Sequence, residues 1–303
     1  MVESELDRRN KIEMNKLVRG MKWVKFFLQF SFSLKSHKIS LMSIEYELNK
    51  ILILTNGRGQ FEEARSMLLL FSTLIHQNSR RVEMRRLGPA NDGGYLVPRC
   101  TPAPHVLLSG GVGKNIDFEH DLAKEGTFVH LFDPTVRRLP ISHGNFRLHR
   151  KFLREGDSEY FVDLKEFLNE LLPSRQRIWI KLDIEGDEYQ QLRNLASGDL
   201  SGIEVLIVEF HGMYNLVNPS FRNNFHFLFE EIFKTFYLVN IHGNNNRPVL
   251  NFGDVVVPEV FEATFILKSA SCDFHNGSVW QNKLSQKNSS RLPETIHIPL
   301  LLS

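Results

Sequence analysis

Ile178-Trp179-Ile180-Lys181-Leu182-Asp183-Ile184-Glu185-Gly186-Asp187-Glu188 joins an apolar run to four carboxylates. A near-continuous apolar run fits a strand covered on both faces, the habit of parallel sheets. Burying a charge is costly unless something pairs with it, so the acids at the end of this strand need a reason. They divide by position. Asp183 and Glu185 alternate along an extended segment and point the same way. Asp187 and Glu188 fall in the first turn of a helix expected over 187–196, where the helix dipole favours negative charge. That helix accounts for Asp187 and Glu188. Asp183 and Glu185 call for a ligand or a partner.

The same rhythm of strand and helix runs outward in both directions. Upstream, Val106-Leu107-Leu108 reads as a strand ending in Ser109-Gly110-Gly111-Val112-Gly113, and 118–125 as a helix. Phe128-Val129-His130-Leu131-Phe132 is a strand stopped by Asp133-Pro134. A further strand is expected near 146–153, then a helix over 163–172. Downstream, 205–210 is a strand, and Phe221, Phe225, Leu228, Phe229, Ile232, Phe233 and Phe236 mark an amphipathic helix. A strand over 236–241 and a hairpin-like partner over 255–267 follow, with Pro258 predicting an edge or irregular start. Alternating strands and helices imply an α/β fold, with right-handed crossovers, a parallel sheet and helices on both faces.

Ahead of that region lie a basic N-terminal extension, 1–42, and a helical lead-in, 43–84; a polar tail, 269–303, lies behind it. The lead-in reads as two helices around Asn56-Gly57-Arg58-Gly59. Phe61, Ala64, Met67, Leu68, Phe71, Leu74 and Ile75 recur at helical spacing in the second, as core packing requires. The first forty residues hold nine Lys/Arg against four Asp/Glu. Within them the apolar run 23–34 is interrupted by Lys25 and Gln29 and is too short for a membrane span. It reads as an amphipathic helix or loose extension in preference to a signal anchor. The net charge of +2 gives no global pull toward nucleic acid or acidic membranes. Neither a nucleic-acid partner nor a transmembrane span is expected. Two cysteines, Cys100 and Cys272, make neither a disulfide scaffold nor a four-thiolate zinc site. A cytoplasmic location is the default, with one disulfide in a secreted protein as the alternative. Asn276-Gly277-Ser278 and Asn288-Ser289-Ser290 match the glycosylation sequon, a triplet that often arises by chance.

In an open parallel sheet, ligands bind outside the carboxyl ends of the strands. Four such ends carry candidates. Gly110, Gly111 and Gly113 either let a ligand approach the backbone or make a plain turn. Their run is not the fingerprint G-x-G-x-x-G, because Ile116 stands three places after Gly113, nor is it a Walker A loop. Asp133 ends the next strand, where a carboxylate suits a ribose diol or caps a turn with Pro134. Asp183 is the third candidate. Glu209 and His211 alternate at the fourth, and His242 ends the strand after it. Adjacent strand ends would bring Asp183, Glu209, His211 and His242 together. Such a set suits general-base work near neutral pH or the holding of one divalent metal.

Taken together, Asn91-Asp92-Gly93-Gly94-Tyr95, the 109–113 loop with Phe118-Glu119, Asp133-Pro134-Thr135, the 181–188 stretch and Val208-Glu209-Phe210-His211 resemble the FkbM-type S-adenosylmethionine-dependent methyltransferases. The methyltransferase-like branch is the most similar. The resemblance covers residues 85–268, the expected methyltransferase domain. K-x-D-I-E-G-x-E with a later E-x-H is its most specific part. It implies a class I methyltransferase, Rossmann-like fold: seven mostly parallel strands, the last antiparallel. It also implies that Gly110, Gly111 and Gly113 lie along the methionine and ribose of S-adenosylmethionine, that Asp133 holds the ribose hydroxyls, and that Asp183 borders the cofactor. Ser109 departs from the acidic residue that many methyltransferases place at the start of the loop. No Asn/Asp-Pro-Pro-aromatic tetrapeptide follows the fourth strand, which disfavours methylation of exocyclic amines. Asn91-Asp92-Gly93-Gly94-Tyr95 either closes over the cofactor or packs as a turn.

Such relatives typically methylate hydroxyls, so the expected activity is O-methylation of a small or carbohydrate-like substrate. A neutral hydroxyl is a poor nucleophile. His211 as a base, or a divalent metal such as Mg2+ on Asp183, Glu209 and His211, would make it competent. Asp183, Glu209 and His211 are therefore the expected catalytic set. Two rival classes are a non-catalytic Rossmann-like binding module and a nicotinamide-dependent oxidoreductase. Against the second stand the missing fingerprint and the lack of an obvious Tyr-x-x-x-Lys pair.

Overall fold

Seven apolar runs build the central sheet: β1 (Val106–Gly110), β2 (Phe128–Phe132), β3 (Phe146–His149), β4 (Ile178–Leu182), β5 (Ile203–Phe210), β6 (Phe236–Gly243) and β7 (Phe261–Leu267). Their spatial order is β3-β2-β1-β4-β5-β7-β6. β7 runs antiparallel to β5 and β6, and the other pairings are parallel. The computed structural model describes residues 57–171, 176–198, 200–277, 279 and 284–290, all within one unit, Tyr46–Ser303. The expected basic extension, the first lead-in helix and the tail beyond 290 lie outside the described residues.

Among the described residues, five α-helices flank the sheet: α1 (Gly57–Asn78), α2 (Asp117–Lys124), α3 (Leu164–Leu171), α4 (Glu188–Ala196) and α5 (Pro219–Thr235). Because neighbouring strand residues point to opposite faces, the core divides in two. Leu108, Ile180 and Val208 pack with α1, α3, α4 and α5; Leu107, Trp179 and Ile207 pack with α2 and the hairpin ahead of β1. The result is a mixed α/β fold with a mostly parallel sheet, compatible with a Rossmann-like architecture.

Helix α5 shows how the sequence sets an element. Asn218 caps it by accepting from the Ser220 N–H at 2.9 Å, and Pro219 stands at its first turn. Its apolar stripe meets that of α1, with the Phe71 ring 4.8 Å from Phe225 and 4.5 Å from Phe229. Such ring pairs add about 0.5–1.5 kcal/mol each beyond area burial.

Three expectations are corrected. The 255–267 partner is two elements: Val255–Pro258 pairs with Val249–Phe252, and β7 begins at Phe261. The 146–153 run splits into β3 and Phe152–Leu153, which pairs with Phe161–Val162. The extended segment expected to carry Asp183 and Glu185 ends as a strand at Leu182, which leaves Asp183 in the turn. A hairpin of Met84–Leu87 and Tyr95–Pro98 went unread, and Asn91-Asp92-Gly93-Gly94 forms its connection.

The two cysteines, taken as thiols under a cytoplasmic default, are bonded to each other, with Cα atoms 5.4 Å apart across 172 residues of sequence. Closing so long a loop restricts the unfolded chain. Cys100→Ser is expected to lower unfolding free energy by about 2–5 kcal/mol. Denaturant titration with and without reductant checks this; identical midpoints would contradict it. No helix among the described residues is long and apolar enough to cross a membrane.

A histidine pair gives the fold an acid limit. His130 Nδ1 on β2 lies 2.9 Å from His149 Nε2 on β3, and both rings pack against Phe167. Burial, with smaller contributions from His149 and Arg147, pushes His130 down to about 4 from 6.5; burial also lowers His149. A depressed histidine stabilises the fold above its unfolded value and loses that contribution as pH falls. The melting temperature should therefore fall as pH drops from 6.5 toward about 4, and His130→Gln should flatten that limb. An unchanged limb in the variant would contradict the assignment.

Candidate functional site

The chain leaves β1 toward β2 on one side and returns to β4 on the other. The carboxyl ends of β1 and β4 thus flank a topological switch point, where open α/β sheets bind ligands. Asp183 follows β4, and Glu209 stands at the penultimate position of β5. The register Val208↔Leu182 sets them side by side. His211 comes one residue after β5. One ligand atom from each of Asp183, Glu209 and His211 falls within 4.8 Å of the others.

Glu188 fixes the imidazole. His211 Nδ1 lies 2.8 Å from Glu188 Oε1, which leaves Nε2 facing Asp183 Oδ1 and Glu185 Oε2, each at 3.8 Å. Glu188 is 0% exposed. It also accepts from the Ile184 and Gly186 N–H groups, both at 2.9 Å, and so holds the turn carrying Asp183. Glu188 stands in the first turn of α4 as expected, and these bonds give it a second role that the helix alone does not. Asp187 occupies the N-cap without a side-chain cap bond and pairs with Arg154 at 2.7 Å. Glu185 adopts a positive φ of 56° and reaches toward Arg247.

The surroundings are acid-rich. Glu209 Oε1 accepts from Asn244 Nδ2 at 2.6 Å, and Asp183 Oδ2 accepts from the Tyr95 hydroxyl at 3.3 Å. Glu262 on β7 stands opposite Glu209 and accepts from Asn288 Nδ2 at 2.6 Å. Burial pushes Glu209 well above the usual carboxylate range, and Asp183 and Glu262 push it further. Burial pushes Glu262 up to about 7. Burial alone would lower His211, but Glu188, Glu209 and Asp183 outweigh it and raise it to about 10. Without a cation, an imidazole so placed keeps its proton at neutral pH and is no base by itself; as a metal ligand it would give up the Nε2 proton as the cation binds. Buried Lys181 donates to the Gly111 carbonyl at 2.6 Å and lies 3.7 Å from Asp183 Oδ2, which ties the glycine loop to the acids.

The glycines differ in their reasons. A Cβ on Gly111, whose φ is 72°, would lie 1.6 Å from the Asp183 carbonyl oxygen; one on Gly110 would lie 2.5 Å from Leu153 Cδ1. Close packing demands both. Gly113, at φ 57°, meets nothing within 4 Å and borders open space. Asp133 Oδ2 accepts from the Val112 and Gly113 N–H groups at 3.1 and 2.9 Å, and Oδ1 from the Thr135 N–H and hydroxyl at 2.8 and 2.6 Å. A carboxylate has about four acceptor positions, so Asp133 is fully engaged in shaping the loop. Burial would raise it, but these bonds hold it below the usual range. At Ser109 the missing acid arrives from α2: the hydroxyl donates to buried Glu119 Oε1 at 2.6 Å.

The structure thus joins Asp183, Glu209 and His211 beside the loop of Gly110, Gly111 and Gly113. The fourth expected member, His242, is separated: β7 lies between β5 and β6, and His242 faces Glu262 across that strand. Sequence reasoning missed Tyr95, Lys181, Glu188, Asn244, Glu262 and Asn288 at this site. Glu188 carried a signal, since it ends the 181–188 stretch. Tyr95 and Asn288 come from distant segments that no local pattern brings here. No protein-family model matches this chain. No curated protein matches it either.

Proposed function

We propose that this chain is an S-adenosylmethionine-dependent methyltransferase acting on a hydroxyl of a small or carbohydrate-like substrate, with a divalent cation held by Asp183, Glu209 and His211. The observation that carries this is the meeting, at the switch point, of a glycine loop open at Gly113 and a carboxylate–imidazole triad braced by Glu188. The motif resemblance and the reversed β7 beside β6 agree with a class I methyltransferase. The donor set suits a cation such as Mg2+ or Mn2+, and an imidazole whose far nitrogen faces a carboxylate is the usual habit of a metal-ligating histidine.

S-adenosylmethionine supplies an electrophilic methyl group, and the cation would ease removal of the hydroxyl proton. The protein's own share is placement. Lys181 holds the glycine loop against Asp183. Glu188 directs His211 Nε2 inward. Asn244 orients Glu209. Asp133 contributes through loop shape; in the ribose role its oxygens would exchange bonds that they already make.

Calorimetry with S-adenosylmethionine and with NAD tests the cofactor, and titration with Mn2+ alone, followed by its paramagnetic signal, tests the cation. Saturable binding of S-adenosylmethionine but not NAD is expected. Binding of NAD alone would favour the oxidoreductase class, and binding of neither would favour the non-catalytic module.

A further inference from the structure

We infer that the mature chain carries an N-linked glycan on Asn276 together with its disulfide, the pairing expected of a protein that folds in an oxidising, glycosylating compartment. This is independent of the methyl-transfer proposal. Two sequons occur in the chain, and the structure separates them. Asn276 is exposed in the two-residue strand His275–Asn276, which pairs with Arg80–Arg81. Asn288 is 7% exposed. Its side-chain amide nitrogen donates to Glu262 Oε1 at 2.6 Å and Asp92 Oδ1 at 3.3 Å, and its backbone carbonyl accepts from the Asp92 N–H at 3.3 Å. A glycan on that buried nitrogen would disrupt the bonds it donates to Glu262 and Asp92.

Position in the fold also favours Asn276. The paired strand Arg80–Arg81 follows Ser79, which bridges to Leu238 near the start of β6. Asn276 therefore stands at the end of the sheet opposite Glu209 and His211, where a large solvated group leaves the site clear. The second observation lies four residues before Asn276. Cys272, packed against the α2-side core, is bonded to Cys100. Such bonds persist in oxidising compartments and are rare where thiol buffers act.

The chemistry balances with the compartment's own reagents. Disulfide formation passes two electrons and two protons from the thiols to a disulfide-carrying oxidant. Glycan transfer forms a bond from Asn276 Nδ2 to the anomeric carbon of an oligosaccharide. It breaks that carbon's bond to a lipid diphosphate, which leaves as the amide loses a proton.

The test is the full chain carried into the secretory pathway of cultured animal cells behind a cleavable leader. One mobility step on glycosidase treatment is expected. It should be absent from Asn276→Gln and from Ser278→Ala, and retained in Asn288→Gln. Alkylation should label no thiol before reduction and both cysteines after it. No glycosidase step, a step that survives Asn276→Gln and Ser278→Ala, or free thiols in the native protein would each overturn the inference.

Discussion

Asp183→Asn is expected to abolish measurable Mn2+ binding and to lower methyl transfer by about two to three orders of magnitude, because a catalytic cation contributes several kcal/mol of charge stabilisation. The side chain keeps its shape, so the change isolates charge. Asp183 is 28% exposed at its side chain and sits among Glu209, Glu262 and Glu188. The change relieves repulsion with those acids but also removes the charge facing Lys181 at 3.7 Å and His211 at 3.8 Å, so the two effects oppose each other and the melting temperature should change little while binding is lost. Glu188→Gln probes the brace. Loss of an outer-shell partner costs about 10–100-fold in metal affinity, so Mn2+ should still bind, more weakly. Undiminished Mn2+ affinity in Asp183→Asn would remove the cation from the proposal.

The second large effect is structural. Gly111→Ala should destabilise the fold by roughly 2–5 kcal/mol, combining a left-handed backbone cost of about 1–2 with overpacking of about 1–3. The new methyl would lie 1.6 Å from the Asp183 carbonyl oxygen, so β1 and the turn after β4 must separate. Gly113→Ala supplies the contrast. Its φ is similarly positive, but nothing lies within 4 Å, so only the backbone cost of about 1–2 kcal/mol applies. If the open space at Gly113 receives the cofactor, Gly113→Ala should weaken S-adenosylmethionine binding out of proportion to its small stability loss. Thermal and denaturant unfolding, read beside cofactor affinity, distinguish the two. Equal destabilisation by both substitutions would contradict the packing argument.

The central sheet was legible because buried parallel strands write continuous apolar runs, as in Ile178-Trp179-Ile180 and Val205-Leu206-Ile207-Val208. The strand ends followed from alternation, which placed Glu209 and His211 together and Asp183 beside them. Order within the sheet was not legible. Nothing local says that β7 inserts between β5 and β6, and that insertion removed His242 from the expected cluster. The hairpin Met84–Leu87 with Tyr95–Pro98 was missed for a related reason: its residues read as short mixed runs, and their burial comes from α2 and the sheet. Glu188 lies in the first helical turn as expected, but its second role was not legible, because a first-turn acid has a sufficient local explanation in the helix dipole while its bond to His211 spans 23 residues. At Asp133 the loop bonds were not legible either, because they join its carboxylate to backbone groups 20 and 21 residues upstream.

The most direct measurement is a crystal structure of the full chain with S-adenosylhomocysteine and Mn2+. The cofactor should lie along the glycine loop at Gly113 with its sulfur toward the Asp183, Glu209 and His211 end, and the ion should sit among those three side chains. A cofactor bound elsewhere, or a switch-point crevice that stays empty at saturating S-adenosylhomocysteine, would contradict the methyltransferase proposal.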